Sequence, residues 1–132
     1  MQPRWLTRAM VVALHQESLA VFGGLAGIRD EGLLESALAR PRNLLGYEPD
    51  TDRVRLAAGY GFELARNHPF IDGNKRVAVL AVAVSLAING HEFDPDEVDE
   101  VRTILALVAG EVDEDALAVW IRSNTTVRTP GS

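Results

Sequence analysis

The 132-residue sequence predicts an all-α, single-domain fold of about six helices gathered around the segment 74–89. Three observations predict it. Apolar residues recur at helical spacing along nearly the whole chain, and cap and stop residues punctuate that pattern at short intervals. One stretch, Val77 to Ile88, is apolar on every side and therefore belongs at the centre of a bundle. With 47% hydrophobic and 24% charged residues, the chain has the composition of a globular domain able to bury a core.

Residues 6–22 place Leu6, Met10, Val11, Leu14, Leu19 and Phe22 at helical spacing, with Thr7 as N-cap and Gly23-Gly24 as the stop. Asp30 caps a short helix, GLLESALAR. Pro41 is expected to end it, since proline lacks an N–H and disfavours helix in the residue before it. Residues 41–52, PRNLLGYEPDTD, read as an irregular loop or short hairpin. A helix runs from about Arg53 to Arg66, stopped by Pro69, and the central helix follows Gly73 and closes at Asn89-Gly90. Asp94, Pro95 and Glu97 supply an N-cap, a first-turn proline and a capping-box acid for a helix ending near Gly110. Asp113 opens the last helix, through Ala116, Leu117, Trp120 and Ile121. The tail 125–132 has nothing to bury and is expected to be disordered, so the domain is taken as residues 1–124.

Composition excludes several function classes. The formal net charge of −6 argues against a broadly basic nucleic-acid or membrane-surface binder. No cysteine is present, which removes disulfides, thiol nucleophiles and thiolate metal sites. The N-terminus lacks a signal-peptide pattern, and the longest apolar run, twelve residues interrupted by Ser85, is too short for a bilayer. A cytoplasmic protein is expected. Charge is also uneven, with +1 over residues 1–90 and −7 over residues 91–132. A small anion such as a nucleotide is therefore expected to bind in the first two thirds.

Polar chemistry concentrates in one segment, Asn67-His68-Pro69-Phe70-Ile71-Asp72-Gly73-Asn74-Lys75-Arg76. Pro69 breaks the preceding helix, and Gly73 permits a positive φ or a close backbone approach to a ligand. The next helix then starts with free N–H groups facing the loop, a setting that attracts phosphate. Lys75, the chain's one lysine, and Arg76 lie in that first turn, where cations are disfavoured unless an anion joins them. Asp72 is an oxygen ligand suited to Mg²⁺ on a phosphate chain, and His68 carries an imidazole, the side chain most often used to deprotonate a hydroxyl. Each has a plainer reading alone: His68 as a helix-end histidine, Asp72 as a cap, Gly73 and Asn74 as turn residues, Lys75 and Arg76 as solvated charges. Phe70 is read as a core anchor. His15, His91, Trp5 and Trp120 have no case beyond packing and capping.

HPFIDGNKR resembles the Fic/Doc family signature, H-x-F-x-D/E-A/G-N-K/G-R, with every defining position present. Upstream, LHQESLAVFGGLAGIRDEGLLESALARP resembles the N-terminal region of the Doc branch, the death-on-curing toxins of bacterial toxin–antitoxin modules. The resemblance covers about residues 6–90. It implies that His68 is the general base on a target hydroxyl and that Asp72 holds Mg²⁺ bridging the phosphates of ATP. It further implies that Gly73 and Asn74 form an anion nest, that Lys75 and Arg76 grip phosphate oxygens, and that Arg66 adds a phosphate contact. Arg66 is also readable as an ordinary helix-end arginine. The Fic branch carries a second glycine at the position of Lys75 and a second arginine at that of Val79. The departures imply a Doc-type kinase, which offers the γ-phosphate to the activated hydroxyl, acting on a translation elongation factor of the EF-Tu type. A Fic-type adenylyltransferase and a non-catalytic binding module are the alternatives. The family's inhibitory pattern, S/T-x-x-x-E-G/N, has its nearest match at Gly27 to Glu31-Gly32, with glycine in place of the hydroxyl residue. That implies inhibition in trans by a cognate antitoxin protein. Residues 41–52 resemble the family's target-positioning flap, or are a plain surface loop.

Overall fold

Six helices and one two-stranded ladder make up the computed structural model, which describes residues 2–128. In chain order they are α1 (Arg8–Phe22), α2 (Glu31–Tyr47), α3 (Arg53–Asn67), α4 (Asn74–Ile88), β1 (His91–Phe93), α5 (Glu97–Val108), α6 (Glu114–Ser123) and β2 (Thr125–Val127). The all-α reading holds. Local capping chemistry sets most of the helix starts: Thr7, Asp30, Asp52, Asp96 and Asp113 each accept a hydrogen bond from a first-turn amide.

Two antiparallel helices form the centre. α4 packs against α3, α1 and β1, while α3 packs against α4, α2, α6 and α5, so α4 shares the core with α3. Gly61 of α3 makes their close approach possible, because a Cβ built there would lie 2.6 Å from Val82 Cγ2. Tyr60, Leu64, Val77, Leu86, Leu117 and Ile121 fill the space between the helices. Arg40 of α2 and Arg55 of α3 both bond the buried carboxylate of Glu114, which pins the start of α6 to the two neighbouring helices.

Three expectations fail, each for a tertiary reason. Pro41 does not end its helix; α2 continues to Tyr47 with Pro41 inside it and buried. A mid-helix proline costs about 3 kcal/mol, but this one packs against α3 where Gly59 leaves room, 3.4 Å from an added Cβ. Residues 41–47 are therefore helical rather than an irregular loop or hairpin, and Glu48 and Thr51 lie beside Arg55 and Asp115. The N-cap of α5 is Asp96, not Asp94, because the Asp94 amide continues the ladder by donating to Asn124 O at 2.9 Å. Nor is the tail unstructured as far as residue 127: Thr125–Val127 pairs antiparallel with His91–Phe93, aligning Phe93 with Thr125 and His91 with Val127. The expectation for residues 129–132 lies outside the described residues. Among the described residues no helix is long and apolar enough to cross a membrane.

Candidate functional site

α3 stops where the chain turns left-handed. His68 has φ 49° and ψ 61°, and among the described residues it is the one non-glycine with a positive φ. That geometry costs a side-chain-bearing residue about 1–2 kcal/mol, so neighbouring bonds must hold it. Phe70 supplies one anchor: it is 1% exposed, and burying such a ring contributes roughly 1.5–3 kcal/mol. His15 of α1 lies flat on that ring, centroids 3.9 Å apart. The Nε2 of His15 is 2.7 Å from the carbonyl oxygen of Asp72, and since a carbonyl only accepts, that nitrogen carries the hydrogen.

Asn74 closes the loop from within. Its Nδ2 donates to Phe70 O and its Oδ1 accepts from Phe70 N, both at 2.9 Å, and the residue is 8% exposed. The Asn74 side chain is thus committed to the loop's own backbone, so its part in the expected anion nest falls to its backbone N–H.

α4 begins at Gly73 (φ 76°) with no side-chain cap, in contrast to the five other helices. Its first-turn amides and the positive end of its dipole stay available to an anion. Lys75 and Arg76 are exposed in that turn. Arg76 lies 4.6 Å over the ring of Phe22, with Nη1 3.4 Å from Gly23 O, which draws it toward the end of α1.

The Asp72 carboxylate is exposed and held as an anion. Oδ2 accepts from the Leu25 amide at 3.1 Å and Oδ1 from the Gly73 amide at 2.8 Å. These two bonds, Leu25 first, with weaker help from Arg76 and His15, keep its pKa below the ordinary carboxylate value against a small opposing effect of burial. Gly24 allows this approach; a Cβ there would be 2.9 Å from Oδ2. Among the described residues no cluster of three or more His, Cys, Asp or Glu could form a metal cage. A single anionic carboxylate beside a phosphate-attracting helix start fits Mg²⁺, which takes one or two protein carboxylates together with phosphate oxygens and water.

His68, Ile71, Asp72, Gly73, Lys75 and Arg76, with Asn74 behind them, surround an open pocket of about 310 Å³. An apolar cleft of about 330 Å³ adjoins it, sharing Lys75 and Arg76 and continuing over Val79, Val101 and Leu105. Arg66 is not in the pocket wall; its guanidinium lies 5.3 Å over the Phe62 ring. Sequence reasoning missed His15 and Arg29, both of which bond loop carbonyls. The signal for His15 was an imidazole on the face of α1 that buries Val11 and Ser18; Arg29 gave none, since its partners are backbone atoms distant in sequence.

A helical bundle whose α3–α4 loop has this motif and this uncapped helix start defines a Fic/DOC domain. The chain belongs to the Fic/DOC family, which matches residues 5–86. It is 31% identical over 120 residues to the protein kinase Doc of Escherichia phage P1, spanning 90% of this chain and 94% of that protein. It is also 39% identical over 100 residues to toxin Doc of Mycolicibacterium smegmatis, spanning 74% of this chain and 77% of that one.

Proposed function

We propose that this chain is the toxin of a toxin–antitoxin pair and a Doc-type protein kinase that moves the γ-phosphoryl group of ATP to a Thr or Ser hydroxyl. The observation that carries the reading is the uncapped start of α4, flanked by an anionic Asp72 and an exposed His68. The γ-phosphate rests against the Gly73–Arg76 amides, with Lys75 and Arg76 as its cations. Asp72 would hold Mg²⁺, which when bound supplies charge neutralisation between the phosphates. The imidazole of His68 takes the proton of the acceptor hydroxyl as its oxygen bonds the γ-phosphorus; the bond to the ADP oxygen breaks, and phosphoprotein and ADP leave. Such a transfer needs positioning and charge stabilisation above all, with the base contributing roughly 10²–10⁴-fold. Arg66 reaches the phosphates only after its side chain leaves Phe62.

The relatives named kinase and toxin support the class, and Lys75, whose side chain replaces a glycine of the adenylyltransferase branch, supports γ- over α-phosphoryl transfer. The acceptor we infer is a translation elongation factor of the EF-Tu type, so the reaction belongs in the cytoplasm and arrests translation. The second partner is a cognate antitoxin. ATP labelled on the γ- or on the α-phosphate, incubated with elongation factor, tests the reading. Label from the γ-position alone is expected, lost in His68→Ala. Label from the α-position would establish adenylyl transfer instead, and label from neither would sink the enzyme assignment.

A further inference from the structure

Two carbonyl oxygens at the end of α3 converge on one guanidinium. Arg29, in the α1–α2 connection, donates from Nη2 to Asn67 O at 2.8 Å and from Nε to His68 O at 2.7 Å. A planar fork on two successive carbonyls fixes the rotation of the peptide between them as well as its place, which a single-point cation cannot do. The same connection holds the following residues through backbone. The amides of Arg29 and Asp30 donate to Pro69 O at 2.7 and 3.0 Å, and the Ile71 amide donates to Gly27 O at 3.1 Å, forming a bridge between Ile28 and Phe70. The strained His68 therefore has its carbonyl gripped by a charge and the next peptide gripped by a short ladder. None of the ion pairs among the described residues uses Arg29.

We propose that Arg29 is a positioning residue for the transfer reaction. By holding the Asn67 and His68 carbonyls, it sets the His68 ring toward the acceptor hydroxyl. It also keeps two oxygen dipoles from turning toward the phosphates. The inference rests on the function proposed above for the same site.

The test compares Arg29→Ala, Arg29→Lys and His68→Ala with the unaltered full-length chain. Hydrogen–deuterium exchange without nucleotide reads the loop, and phosphoryl transfer to elongation factor reads the chemistry. For Arg29→Ala we expect kcat about 10²-fold lower, the loss that a misplaced catalytic group produces. KM for ATP should stay unchanged, because the phosphate contacts belong to α4. Faster exchange should be confined to residues 68–72. Added guanidinium ion should restore part of the rate to Arg29→Ala and none to His68→Ala, with Arg29→Lys intermediate. An unchanged kcat, a rise in KM matching the fall in kcat, or exchange that quickens throughout the helices would each overturn the proposal. If the unaltered chain transfers no phosphate, the proposed function fails, and unaltered exchange at 68–72 in Arg29→Ala separately refutes the clamp.

Discussion

His15 and Asp72 are joined side chain to backbone across 57 positions of sequence: the imidazole Nε2 of the one donates to the carbonyl of the other at 2.7 Å. Because the same ring is stacked on Phe70, one buried residue of α1 fixes both the apolar anchor of the loop and the peptide that carries its carboxylate.

Replacing His15 by Phe keeps the stack and removes the donor. The Asp72 carbonyl then loses its partner in a partly buried place, at a cost of about 1–2 kcal/mol. Urea unfolding should show that loss, and the rate of phosphoryl transfer should fall with it. A His15→Phe protein as stable and as active as the original would mean the bond contributes nothing.

His68→Gly and His68→Ala should both abolish transfer, yet differ in stability. Glycine adopts the left-handed conformation freely, whereas alanine bears the same strain as histidine. The glycine variant is expected to be more stable by about 1 kcal/mol, readable as a higher Tm. Equal melting temperatures would show that the loop does not hold residue 68 at φ 49° in solution.

Glu114 ties three helices through Arg40 and Arg55. Burial by itself would raise its pKa, but the hydrogen bonds and the positive charges of Arg40 and Arg55 together outweigh burial and the net shift is downward. A carboxylate lowered in this way contributes stability above its unfolded pKa of 4.5 and loses it as pH falls through the folded value. Glu63, raised chiefly by burial and then by Glu114, works in the opposite sense. Glu114→Gln should therefore cost about 2 kcal/mol at neutral pH, and its stability curve should converge on that of the unaltered chain below pH 4.5. Parallel curves across that window would remove Glu114 from the ledger of acid-sensitive groups.

Gly61→Ala places a methyl 2.6 Å from Val82 Cγ2. Overpacking of this kind costs typically 1–3 kcal/mol, and Val82→Ala in the same chain should recover most of it. If the double variant is no more stable than the sum of the two single changes, the α3–α4 contact is looser than it stands here.

The ends of helices were legible because caps act over three or four residues. Thr7, Asp30 and Asp113 bond amides three positions on, and Gly23 and Asn89 end their helices where expected. The loop motif was legible for the same reason: its break, its glycine and its charges are all local to residues 67–76. Pro41 misled because its penalty is local while its compensation, a fit against Gly59 of α3, comes from another helix. Strand β2 was missed because three residues become a strand only when β1 offers a ladder.

The amino-acid order alone thus determined the all-α class, most helix boundaries and the segment in which the motif's polar groups gather, since short-range hydrogen bonding, apolar spacing and local composition suffice for each. Tertiary structure alone decided which loop atoms face outward. Asn74 turns inward onto Phe70, Arg66 rests on Phe62, and His15 and Arg29 arrive from elsewhere to hold the carbonyls. The reason is that peptide oxygens need donors, and those for Asn67, His68, Pro69 and Asp72 sit on His15, Arg29 and Asp30, which only folding brings near.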